Sequence, residues 1–275
     1  MNFWKMHGLG NDFIVIDNRI ESISEKEAPA IAKKLCDRRF GVGADGILLV
    51  SNSNTSDIGM RTFNADGSEP EMCGNGTRCF AKYCYENGIV KKEAFAIETK
   101  AGPKPVWLTV KNNEVDVVKV DMGTPNWNRE SLPMIGQGPC INEPLQVDED
   151  ETYNVTCLSV GNPHCVIFVE NVDETPVEYV GPLIENHKAF PKRTNVEFVQ
   201  VLSKYELKIR VWERGCGETF ACGTGTCASV AAANKLAKVK DKVTVHLLGG
   251  DLQVDVAKTL LMTGPASKVF EGKLF

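Results

Sequence analysis

Two short segments of the chain place a cysteine in the same setting. Residues 72–77 read MCGNGT and residues 221–226 read ACGTGT, so the pattern Cys-Gly-x-Gly-Thr recurs 149 residues along the chain. A run that is compatible with a helix follows each copy. Two repeated thiols suit one reaction especially well: a thiolate removes a proton from one face of a carbon acid, and a thiol on the other face returns one. The repeat therefore indicates acid–base chemistry by Cys73 and Cys222.

Proton removal from an amino acid is demanding chemistry for a protein. The α-hydrogen is too weakly acidic for an ordinary side-chain base near pH 7, and most enzymes recruit pyridoxal phosphate as an electron sink. The sequence carries no clear signal for that cofactor, and we expect none. A cysteine ahead of Gly-x-Gly-Thr can lie at a helix N-terminus, where free N–H groups and the helix dipole lower the thiol pKa. The same N–H groups can hold a substrate carboxylate, and the two thiols should titrate as a coupled pair.

The residues ahead of the two cysteines also correspond. A glutamate stands four positions before each cysteine, Glu69 in the first copy and Glu218 in the second. Nine positions before each cysteine stand two further polar residues, Asn64 and Glu213. We expect the pair Glu69 and Glu218 to be structural and to bond to backbone groups near the helix starts.

The repeat extends over most of the chain and predicts two domains. GNDFIV at 10–15 aligns with GNPHCV at 161–166, in the same order relative to the cysteines. Self-similarity at one long offset indicates two copies of a domain rather than an array of short units, and about two domains is the expectation for this length. We predict an N-terminal half at 1–122, completed by the tail 267–275, and a C-terminal half at 123–266.

The hydrophobic pattern alternates strands with a few helices. Helices are predicted at 28–38, 77–87 and 226–236. Strands are predicted at 13–17, 47–50, 94–99, 106–110, 115–120, 165–169, 196–201, 207–212, 243–248 and 252–256. A linker is expected within 125–150, where periodicity is lost. The fold class is therefore α+β: two pseudo-symmetric domains, each a mostly antiparallel sheet wrapped around a central helix, with the active site in the interdomain cleft.

Composition excludes several classes of function. The net charge is −5 and no basic stripe is present, so we expect no nucleic-acid partner. No apolar run reaches the roughly 18 residues of a membrane span, and the first residues lack the pattern of a signal peptide. Ten cysteines in such a chain indicate reduced thiols in a cytoplasm, mostly as small core residues. No cysteine or histidine spacing indicates a metal site.

Four longer segments resemble the signatures of diaminopimelate epimerases. They are KMHGLGNDF at 5–13, NADGSEPEMCGNG at 64–76, GNPH at 161–164 and ERGCGETFACGTG at 213–225. The resemblance spans nearly the whole chain, and the two cysteine motifs are highly specific. It implies interconversion of the LL and meso forms of 2,6-diaminopimelate, a small diamino dicarboxylate, without a cofactor, in lysine and cell-wall precursor synthesis. A homodimer is compatible with this reading, and the sequence leaves the oligomeric state open.

The resemblance also implies roles for individual residues. The catalytic set would be the two thiols with their supporting groups: Cys73, Cys222, His164 and Glu213. Substrate contacts would come from amides, first-turn backbone N–H groups, one carboxylate and one guanidinium: Asn11, Asn64, Gly74, Asn75, Asn162, Asn195, Glu213, Arg214, Gly223 and Thr224. Neutral amides and a guanidinium can bind a zwitterion without adding a competing base. Gly46 departs from the pattern of those family members that carry glutamine there, so that contact would be absent or replaced.

Other interpretations stay open at this stage. A different cofactor-independent racemase, acting on proline, hydroxyproline or histidine, would use the same two thiols. Arg214 and the surrounding asparagines favour a substrate with a second charged end. From another class, the chain could be a thiol-based redox sensor or a small-acid binding protein, since two thiols at one site can form a disulfide. The stretch GVGADG at 41–46 matches G-x-G-x-x-G, but it follows a predicted helix and precedes a strand, the reverse of the dinucleotide-binding context.

Overall fold

The structure is a computed structural model that describes residues 1–149 and 151–274. The chain forms two compact units. The first comprises Met1–Asp121 and a tail that begins at Thr263, and the second comprises Met122–Met262. The predicted linker 125–150 and the predicted tail 267–275 each end on a residue outside the described ones. The described part of that linker includes a 3₁₀ turn, Arg129–Ser131.

The first unit contains a sheet and three helices. Its elements are β1 (Asn2–Gly8), β2 (Asn11–Asp17), α1 (Asn18–Glu21), α2 (Ala28–Cys36), β3 (Gly46–Ser51), β4 (Ile58–Asn64), α3 (Gly74–Glu86), β5 (Ala94–Thr99), β6 (Gly102–Lys111), β7 (Glu114–Gly123) and β17 (Ser267–Lys273). Neighbouring strands pair in the order β17-β1-β2-β3-β4-β5-β6-β7. The β2–β3 and β4–β5 pairs are parallel and the others are antiparallel.

The second unit repeats this topology. Its elements are β8 (Glu143–Gln146), β9 (Thr152–Ser159), β10 (Pro163–Phe168), α4 (Val177–Glu185), β11 (Asn195–Ser203), β12 (Glu206–Glu213), β13 (Gly217–Thr219), α5 (Gly223–Lys235), β14 (Lys242–Leu247), β15 (Gly250–Val256) and β16 (Leu260–Gly264), which runs past the boundary. The order is β8-β9-β10-β11-β12-β14-β15, with β13 added to β12. Here β10–β11 and β12–β14 are the parallel pairs, as β2–β3 and β4–β5 are in the first unit. The predicted α+β fold with an internal repeat is confirmed.

One helix in each unit lies inside the protein along most of its length. Every residue of α3 from Gly74 to Cys84 is buried, and every residue of α5 from Gly223 to Ala233 is buried. A helix that faced solvent on one side would show an exposed polar stripe, so both are central helices. Small residues suit this position in α5, whose buried part consists mainly of glycine, alanine, serine and threonine.

Each unit has its own apolar core. In the first unit Phe3, Ile14, Ile47 and Phe63 belong to one buried cluster. In the second unit Cys157, Ile167 and Phe198 belong to another. Burial of such side chains contributes about 1.5–3 kcal/mol each, which is the main stabilisation that holds the sheets on their helices. Among residues 1–149 and 151–274, no helix is long and apolar enough to cross a membrane.

Several boundaries differ from the sequence predictions. The strand at 94–99 is confirmed in full, but α3 and α5 begin three residues earlier than predicted, directly after Cys73 and Cys222. Glycine has low helix propensity, and the predicted helices therefore began at the threonine after the two glycines of each motif. The elements that were not predicted are short or have mixed polar and apolar residues with weak periodicity: helices α1 and α4 and strands β1, β4, β8, β9, β13, β16 and β17.

Candidate active site

Both repeated cysteines are N-cap residues of the central helices. Cys73 precedes α3 and Cys222 precedes α5, each with extended backbone angles. In both, the sulfur accepts a hydrogen bond from the backbone N–H of the third helical residue, at 3.4 Å from Gly76 and from Gly225. The predicted position at a helix N-terminus is therefore confirmed for both thiols.

The other residues of the motif follow from this cap. The threonine hydroxyl at the fourth helical position donates to the cysteine carbonyl, from Thr77 at 2.8 Å and from Thr226 at 2.7 Å. A Cβ atom on Gly76 would lie 3.4 Å from the Cys73 sulfur, and one on Gly225 would lie 3.3 Å from the Cys222 sulfur. The second glycine thus leaves room for the thiol, and the first turn presents N–H groups that can bind an anion.

In the first unit, the structure brings three of the predicted residues together. The Asn11 side-chain oxygen lies 3.9 Å from the Cys73 sulfur and 3.3 Å from the Asn75 amide nitrogen. The Asn11 amide nitrogen donates to Asp45 Oδ2 at 2.7 Å, and this contact turns the Asn11 oxygen toward the thiol. Sequence reasoning did not single out Asp45.

Asn64 and Gly46 face each other across the β3–β4 ladder. The Asn64 amide donates to Ser68 Oγ at 2.9 Å. A Cβ atom on Gly46 would lie 2.7 Å from the Phe63 carbonyl oxygen, so the backbone at this point is fitted to glycine. The departure at Gly46 therefore has a local structural basis.

In the second unit, Asn162 and His164 form a chain of contacts with a residue that sequence reasoning missed. His164 Nδ1 lies 2.6 Å from Glu197 Oε1, and His164 Nε2 lies 2.9 Å from the Asn162 side-chain oxygen. Both His164 and Glu197 are fully buried. A lone glutamate in the apolar run Val196–Val199 was the available signal, because a charged residue at a core position needs a partner.

Glu213 and Asn195 are also held by specific contacts. Thr219 Oγ1 donates to Glu213 Oε1 at 2.6 Å. The Asn195 amide donates to the Pro163 carbonyl at 2.7 Å, and its oxygen accepts from the Arg214 backbone N–H at 2.9 Å. Asn195 thereby links the start of β10, which carries His164, to the segment after β12, which begins with Arg214. The Arg214 side chain is exposed, with Nη1 3.4 Å from the Lys192 carbonyl.

The environment of Cys222 favours its protonated form. Burial raises the pKa of this thiol well above its ordinary value, and the charges of Glu213 and Glu197 raise it further. Hydrogen bonds from the Thr224 hydroxyl and the Gly225 N–H act in the opposite direction. The helix terminus thus lowers the thiol pKa of Cys222 as expected, but desolvation and two carboxylates outweigh the N–H donors, so the net shift of the pKa is upward. Burial likewise raises the pKa of Glu213.

The expectation for Glu69 and Glu218 was wrong in its detail. Glu69 accepts two hydrogen bonds from the guanidinium of Arg61, and Glu218 accepts two from Arg210. Both are therefore bonded to arginine side chains rather than to the backbone at the helix starts. Among residues 1–149 and 151–274, no group of three or more His, Cys, Asp or Glu side chains is arranged to hold a metal ion.

Alanine at the second glycine of each motif should affect the two units differently. A Cβ atom at residue 225 would lie 2.7 Å from Glu197 Oε1, whereas one at residue 76 would meet Leu48 Cδ2 at 3.2 Å. We expect Gly225→Ala to lower the free energy of unfolding by about 1–3 kcal/mol through overpacking. Gly76→Ala should be close to neutral, because Leu48 can shift and alanine favours the helix by up to about 1 kcal/mol. Urea unfolding of the matched pair tests this, and equal losses would contradict it.

Comparison with known proteins identifies the family. The family model for diaminopimelate epimerase matches residues 3–128 and 156–269. The chain is 52% identical to the diaminopimelate epimerase of Moorella thermoacetica, over 99% of this chain and 98% of that protein. It is 51% identical to that of Pelotomaculum thermopropionicum, with the same coverage.

A solved structure extends the comparison to the fold. A hydroxyproline epimerase from Agrobacterium vitis superposes with a TM-score of 0.74 at 14% identity, covering 99% of this chain and 91% of that one. At that identity the likeness concerns the fold alone. The family-model match and the two full-length relatives establish the sequence relationship. The chain therefore belongs to the diaminopimelate epimerase family of isomerases.

Proposed function

We propose that this protein interconverts LL- and meso-2,6-diaminopimelate with Cys73 and Cys222 as its two acid–base groups and without a cofactor. The observation that carries the proposal is the repeated cap: each thiol stands at the N-terminus of a buried helix and accepts a first-turn N–H bond. Membership of the family supports the substrate. The roles of the other site residues, which follow from the family motifs, are part of the same proposal.

The reaction needs one proton out and one proton in at the same carbon. The thiolate of one cysteine removes the α-proton, and the electron pair of the broken C–H bond moves into the carboxylate as an enolate-like system. First-turn N–H groups at Gly74, Asn75, Gly223 and Thr224 are proposed to stabilise that charge, each well-placed donor being typically worth about 3 kcal/mol. The other thiol then protonates the opposite face.

The remaining predicted residues are proposed to hold the substrate. Glu213 would lie near the α-amino group, and His164 would support the reacting centre through its contact with Asn162. Asn11, Asn64, Asn162, Asn195 and Arg214 would complete the binding set. Arg214 is the guanidinium proposed to bind the distant carboxylate, and its exposed side chain leaves it accessible to a ligand.

The division of the chain into two halves and its cellular location are also part of the proposal. We propose that residues 1–122 with 267–275, and residues 123–266, are the two halves of the epimerase. The repeated strand pairings of the two units support this division. A cytoplasmic location is proposed from the biosynthetic role.

The deciding assay is incubation of the purified protein with LL-diaminopimelate, followed by chromatographic resolution of the stereoisomers. We expect the mixture to approach equilibrium between the LL and meso forms. L-Proline and trans-4-hydroxy-L-proline serve as parallel substrates, because the fold is shared with a hydroxyproline epimerase. Racemisation of either imino acid in place of diaminopimelate would overturn the substrate assignment. No isomerisation of any of them, with both thiols reduced, would overturn the proposed activity.

A further inference from the structure

Each half of the protein contains an arginine–glutamate pair at the same place relative to its cysteine. In the first unit, Arg61 on β4 bonds to Glu69 through Nε, and through Nη2 at 3.1 Å. In the second unit, Arg210 on β12 bonds to Glu218 through Nε at 2.6 Å and through Nη2 at 2.9 Å. Both contacts are bidentate and both span eight residues. We call them the first and second clamps.

The clamps are well placed to matter energetically. The side chains of Glu69 and Glu218 are only 18% and 17% exposed, so the contacts are partly withdrawn from water. The hydrogen bonds from Arg61 are the main reason why the pKa of Glu69 is lowered. A bidentate guanidinium–carboxylate contact restricts direction as well as distance, which distinguishes the clamps from ordinary surface ion pairs.

The first clamp acts on a segment with little regular structure. Between the end of β4 at Asn64 and the start of α3, the chain forms a turn and then an irregular stretch with no strand. Glu69 lies within that stretch, four residues before Cys73. Lys100 Nζ is 3.6 Å from Glu69 Oε2, which adds a second cation to the same carboxylate. The clamp thus ties the approach to Cys73 to the rigid strand β4.

The second clamp acts on a segment that a strand ladder also holds. Glu218 lies in β13, where it pairs with Trp212 of β12. The next residue, Thr219, donates to the Glu213 carboxylate at 2.6 Å. The clamp thus fixes both the approach to Cys222 and the residue that orients Glu213.

We propose that Arg61 with Glu69, and Arg210 with Glu218, are two pairs of positioning residues, each of which fixes the segment that brings its own cysteine to the helix N-terminus. Their catalytic consequence rests on the proposed function, whereas their effect on each thiol does not. The segment before Cys73 contains no strand, whereas the segment before Cys222 pairs with β12 through β13. Loss of the first clamp should therefore change the reactivity of its cysteine more than loss of the second clamp does.

The test is the reactivity of each thiol in isosteric variants. Glu69→Gln and Glu218→Gln keep the side-chain shape but remove the charge and one of the two acceptors. The rate of iodoacetamide alkylation is measured separately at Cys73 and Cys222 by peptide mass spectrometry. We expect Glu69→Gln to speed alkylation of Cys73 at least about five-fold and that of Cys222 less than two-fold. Glu218→Gln should speed alkylation of Cys222 more than that of Cys73, and by a smaller factor than Glu69→Gln does at Cys73. Changes of this size are expected because loss of one hydrogen bond to a charged group typically shifts an equilibrium by about five-fold or more.

Matched controls separate positioning from general destabilisation. Lys92→Met and Lys111→Met break ion pairs with Asp57 and Asp116 that lie outside the two segments, and neither should alter either alkylation rate. Arg61→Lys and Arg210→Lys repeat the test from the other partner, because lysine cannot make the bidentate contact. Urea midpoints check that each variant remains folded. Equal changes at both cysteines, or no change at the nearer cysteine in a folded variant, would overturn the proposal.

A kinetic arm completes the test for the proposed epimerase. Glu69→Gln should lower kcat at least about ten-fold while KM changes less than three-fold, because the first clamp holds the segment before Cys73; a ten-fold change is 1.4 kcal/mol in the barrier. Glu218→Gln should lower kcat and also raise KM, because the second clamp holds the residue that orients Glu213. A rise in KM with unchanged kcat would overturn a role in thiol positioning. Absence of diaminopimelate turnover in the unsubstituted protein would reject the proposed function, and the alkylation rates would still decide the clamps.

Discussion

Replacement of either repeated cysteine by alanine is expected to reduce isomerisation of diaminopimelate by at least about 10²–10⁴-fold. Each variant leaves one face of the carbon without its proton carrier. Glu213, one of the two carboxylates that act on Cys222, already accepts a bond from Thr219. The measurement is the initial rate of conversion of LL to meso isomer for Cys73→Ala and Cys222→Ala.

Serine variants separate loss of chemistry from loss of the helix cap. Because each cysteine sulfur accepts a first-turn N–H bond, alanine also removes a cap worth about 0.5–2 kcal/mol. Serine is a preferred N-cap residue, so Cys73→Ser and Cys222→Ser should remain stable and still be inactive. Cys84→Ala, a buried cysteine in the same helix as the Cys73 cap, should lose stability but keep its turnover. Retention of a tenth of the original rate by either active-site variant would contradict two-thiol catalysis.

Deuterium incorporation should be nearly complete in early product. A thiol carries one proton, so the proton that one cysteine removes cannot be delivered to the opposite face by the other. Starting from LL-diaminopimelate in deuterium oxide, we therefore expect the first meso product to carry close to one deuterium at the inverted carbon. The remaining LL-substrate should be mostly protiated. Mass spectrometry of the separated isomers at low conversion measures both quantities.

A single polyprotic base gives a different labelling pattern. A lysine ammonium that moved between the two faces would return part of the original hydrogen to the product. The Cys222→Ser variant is a useful comparison, because any residual exchange there reports on Cys73 alone. Substantial protium in early meso product would refute the two-thiol mechanism, even if the overall activity were present.

The repeated motif could be interpreted from the sequence because each of its residues acts locally. Cysteine as the cap, two glycines in the first turn and threonine bonding back to the cap are contacts within five consecutive residues. The sequence thereby predicted a thiol at a helix N-terminus in both halves, and the strand at 94–99 was predicted in full for a similar reason. The early helix starts were missed because glycine has low helix propensity, whereas in the fold the cysteine caps and the threonine bonds start each helix directly after its cysteine.

Contacts between distant segments could not be derived in this way. Glu197 meets His164 across a parallel strand pair, and Asp45 orients Asn11 from 34 residues away. The pKa of Cys222 depends on burial and on two carboxylates from other strands, so a rule based on its own helix gave the wrong direction for the net shift. The sequence alone determined the repeat, the two thiols and the family resemblance, since these reside in local order. Only the tertiary structure decided which side chains support them, because burial and through-space charge depend on how separate strands pack.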